Sequence, residues 1–298
     1  MDGFICLDKA EGMTSFYAVR KMRSILGEKK AGHGGTLDPM ATGLLPVAFG
    51  SATKFLELFP THDKAYEAQI KLGITTDTLD ITGKVLTEKE TAVTKEELLS
   101  VLENFKGRIK QLPPMYSAIQ KNGVRLYELA RQGIEIEREE REIEIYSLKL
   151  IDFDVKEQSF TISVECSAGT YIRSLSSDIG EMLGTGAVMT KLRRTKALGF
   201  SLSDAVTLEE LEEKKNSGEI GAVFFGVEDA LDYEKLIVSE AQAKRFYNGG
   251  ELETQRLLQK TKAKELYRVF SQSGDFIGIG IADEENRNLL VKRGFHKT

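Results

Sequence analysis

Cysteine is scarce in this chain: there are two in 298 residues, Cys6 and Cys166, each inside an apolar strand-like run. A small buried thiol is the usual occupant of such a position, so neither a disulfide framework nor a thiolate zinc site is expected. Histidine is nearly as rare, with three residues, and no His or Cys lies at a ligand spacing from His33, so a metal centre there lacks partners. Long apolar runs are missing as well. No window approaches about 18 uninterrupted apolar residues, and residues 1–7 carry neither a basic stretch nor a long apolar one, which points to a cytoplasmic protein outside the membrane. An excess of base is also lacking. The net charge of −5 argues at first against nucleic acid, because phosphate binding draws on clustered Lys and Arg that release counterions.

What is present modifies that last exclusion. From Arg20 to Lys30 five basic residues (Arg20, Lys21, Arg23, Lys29, Lys30) face one acid, Glu28, and Lys191 to Lys196 holds four with no acid. Acid is concentrated elsewhere, notably from Glu135 to Glu144. This asymmetry permits a basic groove on an acidic protein, although any single charge run also suits a solvated helix face. With 41% apolar and 29% charged residues, composition is that of a folded globular chain, long enough for one large domain and a small one.

Residues 3–7 read as a buried strand, residues 8–12 as a turn, and Thr14 or Ser15 as the N-cap of a helix carrying Phe16, Val19, Met22, Ile25 and Leu26 inward and closed by Gly27. A glycine-rich loop, residues 31–39, precedes the apolar stretch 44–49. Strand patterns follow at 66–72 and, with alternation, at 134–137, 142–145 and 160–166; the acidic alternating pair reads as a sheet edge. Helices are predicted at 94–105 with a Thr94/Glu97 capping box, at 125–132, at 171–183, and after Thr207 with Glu210 as its box partner. Beyond about residue 232 the texture becomes short β-like runs at 266–270, 276–281 and 289–291, the pattern of a small barrel. Strands and helices without strict βαβ repetition give an α+β class.

In the loop, glycines allow a ligand close to the backbone, and Asp38, preceding Pro39, is held extended. By spacing alone, Asp38 reads first as a helix N-cap with Pro39 at the first helical position, ahead of a catalytic role. Asp77 and Asp80 suggest magnesium, but two acids in a Thr/Gly-rich turn are more often caps.

The run from Gly32 to Val47, Gly-His-Gly-Gly-Thr-Leu-Asp-Pro-Met-Ala-Thr-Gly-Leu-Leu-Pro-Val, resembles the signature of the TruB family of tRNA pseudouridine synthases. Asp8 to Ser15, Asp63 to Tyr66, Pro113 to Ala118, Gly169 to Arg173 and Leu192 to Arg194 continue the resemblance in order. Three departures are visible: Gly34 stands where threonine is common, Ala10 where proline is frequent and Gln120 where lysine is common. Gly34 is expected only to loosen the loop, and Gln120 puts one phosphate contact in question.

The resemblance implies a mixed central β-sheet flanked by helices, spanning residues 1–232 with an RNA-gripping insertion near 110–145, and a PUA-like RNA-binding β-barrel at 233–298. It implies isomerisation of the T-loop uridine at position 55 of tRNA, with the base flipped out and with no metal and no organic cofactor. Asp38 would be the nucleophile and Arg173 its bidentate partner, keeping it ionised. Tyr66 would stack on the extruded uracil and help move a proton. His33 would fill the gap left by the base, while Lys9, Tyr171 and Leu192 would wall the pocket or touch phosphate and base; core packing suits Leu192 as well. Lys292, Arg293 and Lys297 offer phosphate contacts, as do Lys191, Arg193 and Arg194. The tRNA is the expected partner, met by a monomer with no obligate protein partner and no guide RNA. The rivals are a non-catalytic tRNA-binding or folding module, an aspartate-based phosphotransferase, which would need a magnesium cluster, and a guide-RNA-dependent synthase, for which long basic extensions are lacking.

Overall fold

The computed structural model describes residues 1–121 and 123–296. Strand β1 (Gly3–Lys9) is almost entirely buried, as a strand flanked on both sides must be. It runs two residues beyond the predicted segment because Asp8 pairs with Leu44 and Lys9 with Gly43 across the ladder. Helix α1 (Ser15–Leu26) then starts where the sequence places it. The Thr14 hydroxyl accepts the Tyr17 N–H at 3.1 Å, and Gly27 closes the helix at φ 70°. The inward stripe is Ser15, Ala18, Val19, Met22 and Leu26. Phe16, expected inside, is 76% exposed, because Ser15 takes the inward place in the first turn and is tied there to the loop at Leu37.

Strands β2 (Ala31–His33), β3 (Thr42–Phe49) and β4 (Lys64–Leu72) follow. The central sheet runs in the order 205–206, β1, β3, 187–197, β4, 159–166, 141–154 and 107–111, with β2 paired to β3. It is mixed: β3 lies parallel to Ala187–Ala197, which lies antiparallel to β4. Even-numbered residues of β4 share one face, and Tyr66, Ala68, Ile70 and Leu72 all join the main core. Against them pack α2 (Lys95–Glu103), with both hydrogen bonds of the Thr94/Glu97 capping box, and the helix Ile172–Met182, whose Ile172, Leu175 and Ile179 enter the same core. The predicted Thr207/Glu210 box caps the helix Leu208–Ser217.

Two expectations about the acidic segment are corrected. Residues 134–137 alternate but form no strand, since alternation without a partner strand leaves the backbone unpaired, and Ile134 is exposed. Residues 142–145 belong to the long strand Arg141–Asp154, which pairs on both sides, so Gly107–Gln111 is the edge. Within residues 110–145, a short hairpin joins Gln120–Lys121 to Val124–Arg125 and leads into the helix Leu126–Arg131. Gln120 is exposed there.

The C-terminal part is a five-stranded sheet in the order 234–238, 266–271, 276–282, 288–294, 252–253, curled into a half-barrel. Its two end strands are not hydrogen-bonded to each other among the described residues, so the predicted barrel stays open. Phe55 from the larger part meets Phe276 and Phe295 from the smaller one, with ring centroids 6.3 and 5.9 Å away. One apolar cluster therefore runs across the junction. Lys297, an expected phosphate contact, lies outside the described residues, while Lys292 and Arg293 sit exposed on the last strand.

Candidate active site

The loop 34–41 joins β2 to β3 and carries Asp38. No helix follows Pro39: the Ala41 N–H returns to the Asp38 carbonyl at 3.0 Å, closing a turn, and β3 begins at Thr42. The N-cap reading of Asp38 is thereby replaced by a turn that ends in a strand. What holds the loop is a set of partners distant in sequence. Arg194 donates to the carbonyls of Gly35 (3.0 Å) and Thr36 (3.3 Å), and Ser15 Oγ donates to that of Leu37 (3.1 Å). Lys9 Nζ (3.3 Å) and the Gly12 N–H (2.8 Å) both donate to the Pro39 carbonyl. With the Asp38 carbonyl in the turn, each carbonyl from residue 35 to residue 39 is engaged. The rigidity expected from the Asp-Pro step thus comes mainly from tertiary hydrogen bonds.

Two glycines sit where a β-carbon would collide with a neighbour. Gly43, at φ 98°, passes so close to the strand beside it that a Cβ would lie 2.3 Å from the Arg194 carbonyl oxygen. At Gly34 a Cβ would lie 2.2 Å from Leu198 Cδ1. Gly34 therefore does more than loosen the loop: the buried Leu198 side chain occupies the space a β-carbon would need.

Arg173, in the first turn of the helix Ile172–Met182, reaches Asp38 as expected, though with one nitrogen. Its Nε lies 2.9 Å from Asp38 Oδ2, and the other two nitrogens serve the backbone: Nη1 donates to the Thr78 carbonyl (3.1 Å) and Nη2 to the Tyr116 carbonyl (2.8 Å). The bidentate expectation is thus corrected to a single-point contact from a guanidinium fixed on two other loops. Asp38 Oδ1 accepts no hydrogen bond among the described residues, and the side chain remains 35% exposed. Burial pushes the Asp38 carboxyl above its usual range; the Arg173 charge and hydrogen bond and the Lys9 charge oppose this, and Asp80 adds to it. Arg173 moderates the rise without reversing it.

Asp80, which the sequence offered only as a turn cap or a magnesium ligand, is a neighbour of the site. Its Oδ2 is 3.8 Å from Arg173 Nη1, while Oδ1 accepts from the Thr82 N–H (3.0 Å) and hydroxyl (2.5 Å) and from the Thr78 hydroxyl (2.9 Å). Asp77 accepts the Lys84 N–H. Both acids cap a turn, and among the described residues no group of three acids, histidines or cysteines is placed to hold a metal ion.

Tyr66 lies on β4 opposite Arg194 and is 7% exposed. Burial pushes its phenol up to about 12, with Arg194 opposing and the Asp38 charge assisting. Arg194 is wholly buried and gives its Nε to the Leu44 carbonyl at 2.8 Å. It is an interior organiser of the loop, not the phosphate contact that the basic run suggests. Arg193 forms a two-point pair with Asp8, at 3.1 and 2.6 Å, and Lys196 pairs with Glu165 at 2.8 Å. Of the run's four cations, only Lys191 is exposed with no ion pair among the described residues. The reason is local: the ladder slips between Met189 and Lys191 and again between Arg194 and Lys196, changing which residues face inward.

Lys9 is likewise corrected. It is fully buried, and its three donors go to the carbonyls of Ala10 (2.9 Å), Met13 (2.8 Å) and Pro39 (3.3 Å), leaving none for phosphate or base. Burial depresses its ammonium to about 8. His33 stands at the loop entrance with Nδ1 accepting the Gly35 N–H at 3.3 Å, and burial, then Arg194, lower its pKa, so a neutral ring offers its Nε2 edge. The Gln111 amide clamps the Tyr171 backbone at both N–H (2.8 Å) and carbonyl (3.1 Å), and the Tyr171 phenol is raised by burial. Leu192 is 7% exposed in the main core with Tyr66. The structure thus gathers Asp38, Arg173, Tyr66 and Tyr171 around one electrostatic centre and adds Arg194, Asp80 and Ser15.

Comparison with known proteins accords with this arrangement. Residues 23–172 match the model of the TruB family pseudouridylate synthase (N terminal domain), and residues 173–232 match the tRNA pseudouridylate synthase B C-terminal domain. Residues 235–294 match the C-terminal model described as pseudouridine synthase II TruB. The tRNA pseudouridine synthase B of Clostridium kluyveri is 43% identical over 94% of this chain and 96% of its own length; that of Azoarcus sp. is 46% identical over 98% and 94%. Among solved structures, a chain from a Cbf5-Nop10-Gar1 complex superposes with a TM-score of 0.76 at 26% identity, covering 99% of this chain and 85% of that one.

Proposed function

The chain belongs to the TruB family of pseudouridylate synthases, and from that premise we infer that it acts on the position-55 uridine in the T loop of transfer RNA with Asp38 as nucleophile. The protein is an isomerase that converts uridine to pseudouridine in tRNA. The reaction breaks the N1–C1′ bond, turns the uracil while it stays bound, joins C5 to C1′ and releases the C5 hydrogen.

The observation that carries the assignment is the state of Asp38: one carboxylate oxygen fixed by Arg173, the other free, on a loop whose carbonyls from 35 to 39 are all engaged. A nucleophile must be ionised and aimed yet have one oxygen uncommitted, and this geometry supplies that. Tyr66 offers a ring for the extruded base, and as a neutral phenol it acts as donor or stacking partner rather than as phenolate. His33, with its Nε2 edge free, is read as the residue that fills the vacated place in the RNA. Tyr171 and Leu192 wall the pocket, and Lys9 acts at one remove by fixing Pro39.

We divide the chain into a catalytic part at 1–232 and a PUA-like RNA-binding part at 233–298. The free-standing reading, in the cytoplasm and without guide RNA, is favoured over a guided one. The relatives named tRNA pseudouridine synthase B match at 43–46% identity, against 26% for the Cbf5 chain. The test uses a T stem-loop RNA carrying tritium at C5 of its uridine, incubated with the protein in the presence of a chelator. Tritium release from the position-55 uridine is expected; stable binding without release would leave the non-catalytic tRNA module as the function.

A further inference from the structure

We propose that Lys64 binds a phosphodiester linkage flanking the target uridine, an inference that rests on reading the site as an RNA-modifying centre. Lys64 opens β4 and shares a face with Tyr66, two residues on. It leans over the active loop: its Cε and Nζ lie 3.6 and 3.9 Å from the point where a Cβ on Gly35 would sit, and Arg194 Nη1 lies 3.6 Å from the same point. The cation therefore stands over the nucleophile's loop, from the strand that carries the tyrosine.

Four other cations near the nucleophile's loop are already committed. Lys9 and Arg194 are spent on backbone carbonyls, Arg173 on Asp38 and two carbonyls, and Arg193 on Asp8. Lys64 forms no hydrogen bond or ion pair among the described residues. Its neighbour Asp63 accepts instead from the Tyr146 hydroxyl at 3.2 Å. Tyr146 occupies the place where the ladder slips between Ile145 and Ser147, and its ring is turned out to 51% exposure. Lys64 is thus a half-buried ammonium beside a buried guanidinium, with the adjacent acid engaged elsewhere. Burial and Arg194 both disfavour its charged form, and the Asp63 charge opposes them without reversing the shift. A nucleoside held at Asp38 brings one anion on each side, its 5′ and 3′ phosphodiesters, and Lys is a suitable point charge for such a group.

The experiment measures fluorescence-anisotropy binding of three T stem-loop RNAs: one unmodified, and one each with an uncharged methylphosphonate on the 5′ or the 3′ side of the target uridine. Lys64→Met is expected to raise Kd for unmodified RNA by about 10- to 100-fold, the worth of one charge-assisted hydrogen bond, and Lys64→Arg to retain most of the affinity. The salt slope of log Kd should fall by roughly 0.7–0.9, as for one lost phosphate contact. One of the two methylphosphonates should weaken wild-type binding by a similar factor and cost Lys64→Met nothing further, which identifies the linkage. Losses that multiply at both linkages, as a contact to uracil would give, overturn the proposal. So does an unchanged Kd for Lys64→Met, or wild-type binding indifferent to both methylphosphonates, a comparison that needs no variant to fold. Tritium release from the unmodified RNA reports separately on the reaction: no release alongside Lys64-dependent binding would refute the enzyme and keep the phosphate contact.

Discussion

Asp38→Asn separates chemistry from folding. The amide keeps an oxygen for the Arg173 Nε, 2.9 Å away in the wild type, and has the same shape, so the loop with its five engaged carbonyls should stay in place. Catalysis should not survive. Tritium release is expected below about one thousandth of the wild-type rate, which corresponds to ~4 kcal/mol of barrier. Stability should move the other way. The folded state raises the Asp38 pKa above its ordinary value, chiefly through burial, so at neutral pH the ionised carboxylate works against folding. In the window between the ordinary and the raised pKa the native state holds more proton than the unfolded chain, and stability falls as pH rises through it. Asp38→Asn removes this cost. Because the side chain is 35% exposed and water screens it, the gain at pH 7 should be modest, about 0.5–1 kcal/mol, or roughly 1–4 °C in Tm. The difference between variant and wild type should shrink as pH is lowered toward the ordinary carboxylate range, where both states carry the proton. Urea denaturation of both proteins at pH 7 and pH 5 measures it. A variant less stable than wild type at pH 7, or a difference that grows on acidification, would refute the claim that burial outweighs Arg173 at this carboxylate.

Arg173→Lys keeps a charge but cannot span Asp38 and the carbonyls of Thr78 and Tyr116 together, so two half-buried carbonyls lose a donor. Chemical denaturation should show a loss of about 2–4 kcal/mol, and the acid limb of kcat/KM should shift to higher pH as the carboxylate loses its hydrogen bond. With the Tyr66 phenol near 12, roughly one molecule in 10⁵ is ionised at pH 7. Tyr66→Phe should therefore lower kcat without removing any ionisation from the pH profile between pH 6 and 9, and disappearance of a limb there would contradict the neutral phenol. Gly34→Thr should destabilise by about 1–3 kcal/mol through collision with Leu198, and Leu198→Ala in the same chain should recover part of that loss; additive effects in thermal melts would argue against the contact.

Signals confined to a few neighbouring residues were legible in the sequence. The capping boxes of Thr94 with Glu97 and Thr207 with Glu210, the Thr14 and Gly27 ends of α1, and the alternation of residues 160–166 form as their spacing predicts, because each depends on partners within one turn or one strand. The resemblance carried by the loop around Asp38 gave the family, and the mix of strand and helix patterns gave the α+β class. Tertiary structure decided which side of an element faces inward and what each charge meets. Residues 134–137 alternate yet find no partner strand, and Phe16 gives its inward place to Ser15. Lys9 and Arg194 looked like ligands for phosphate and are wholly buried, tying Pro39, Gly35 and Thr36 from strands far away in the chain. Two slips in the ladder of residues 187–197 reverse the inward parity, so the run Lys191–Lys196 could not reveal which of its cations is free. Local hydrogen bonds and periodicity are written in adjacent residues; burial, register and the pairing of charges arise only when distant strands meet, and the position of Asp38 depends on those.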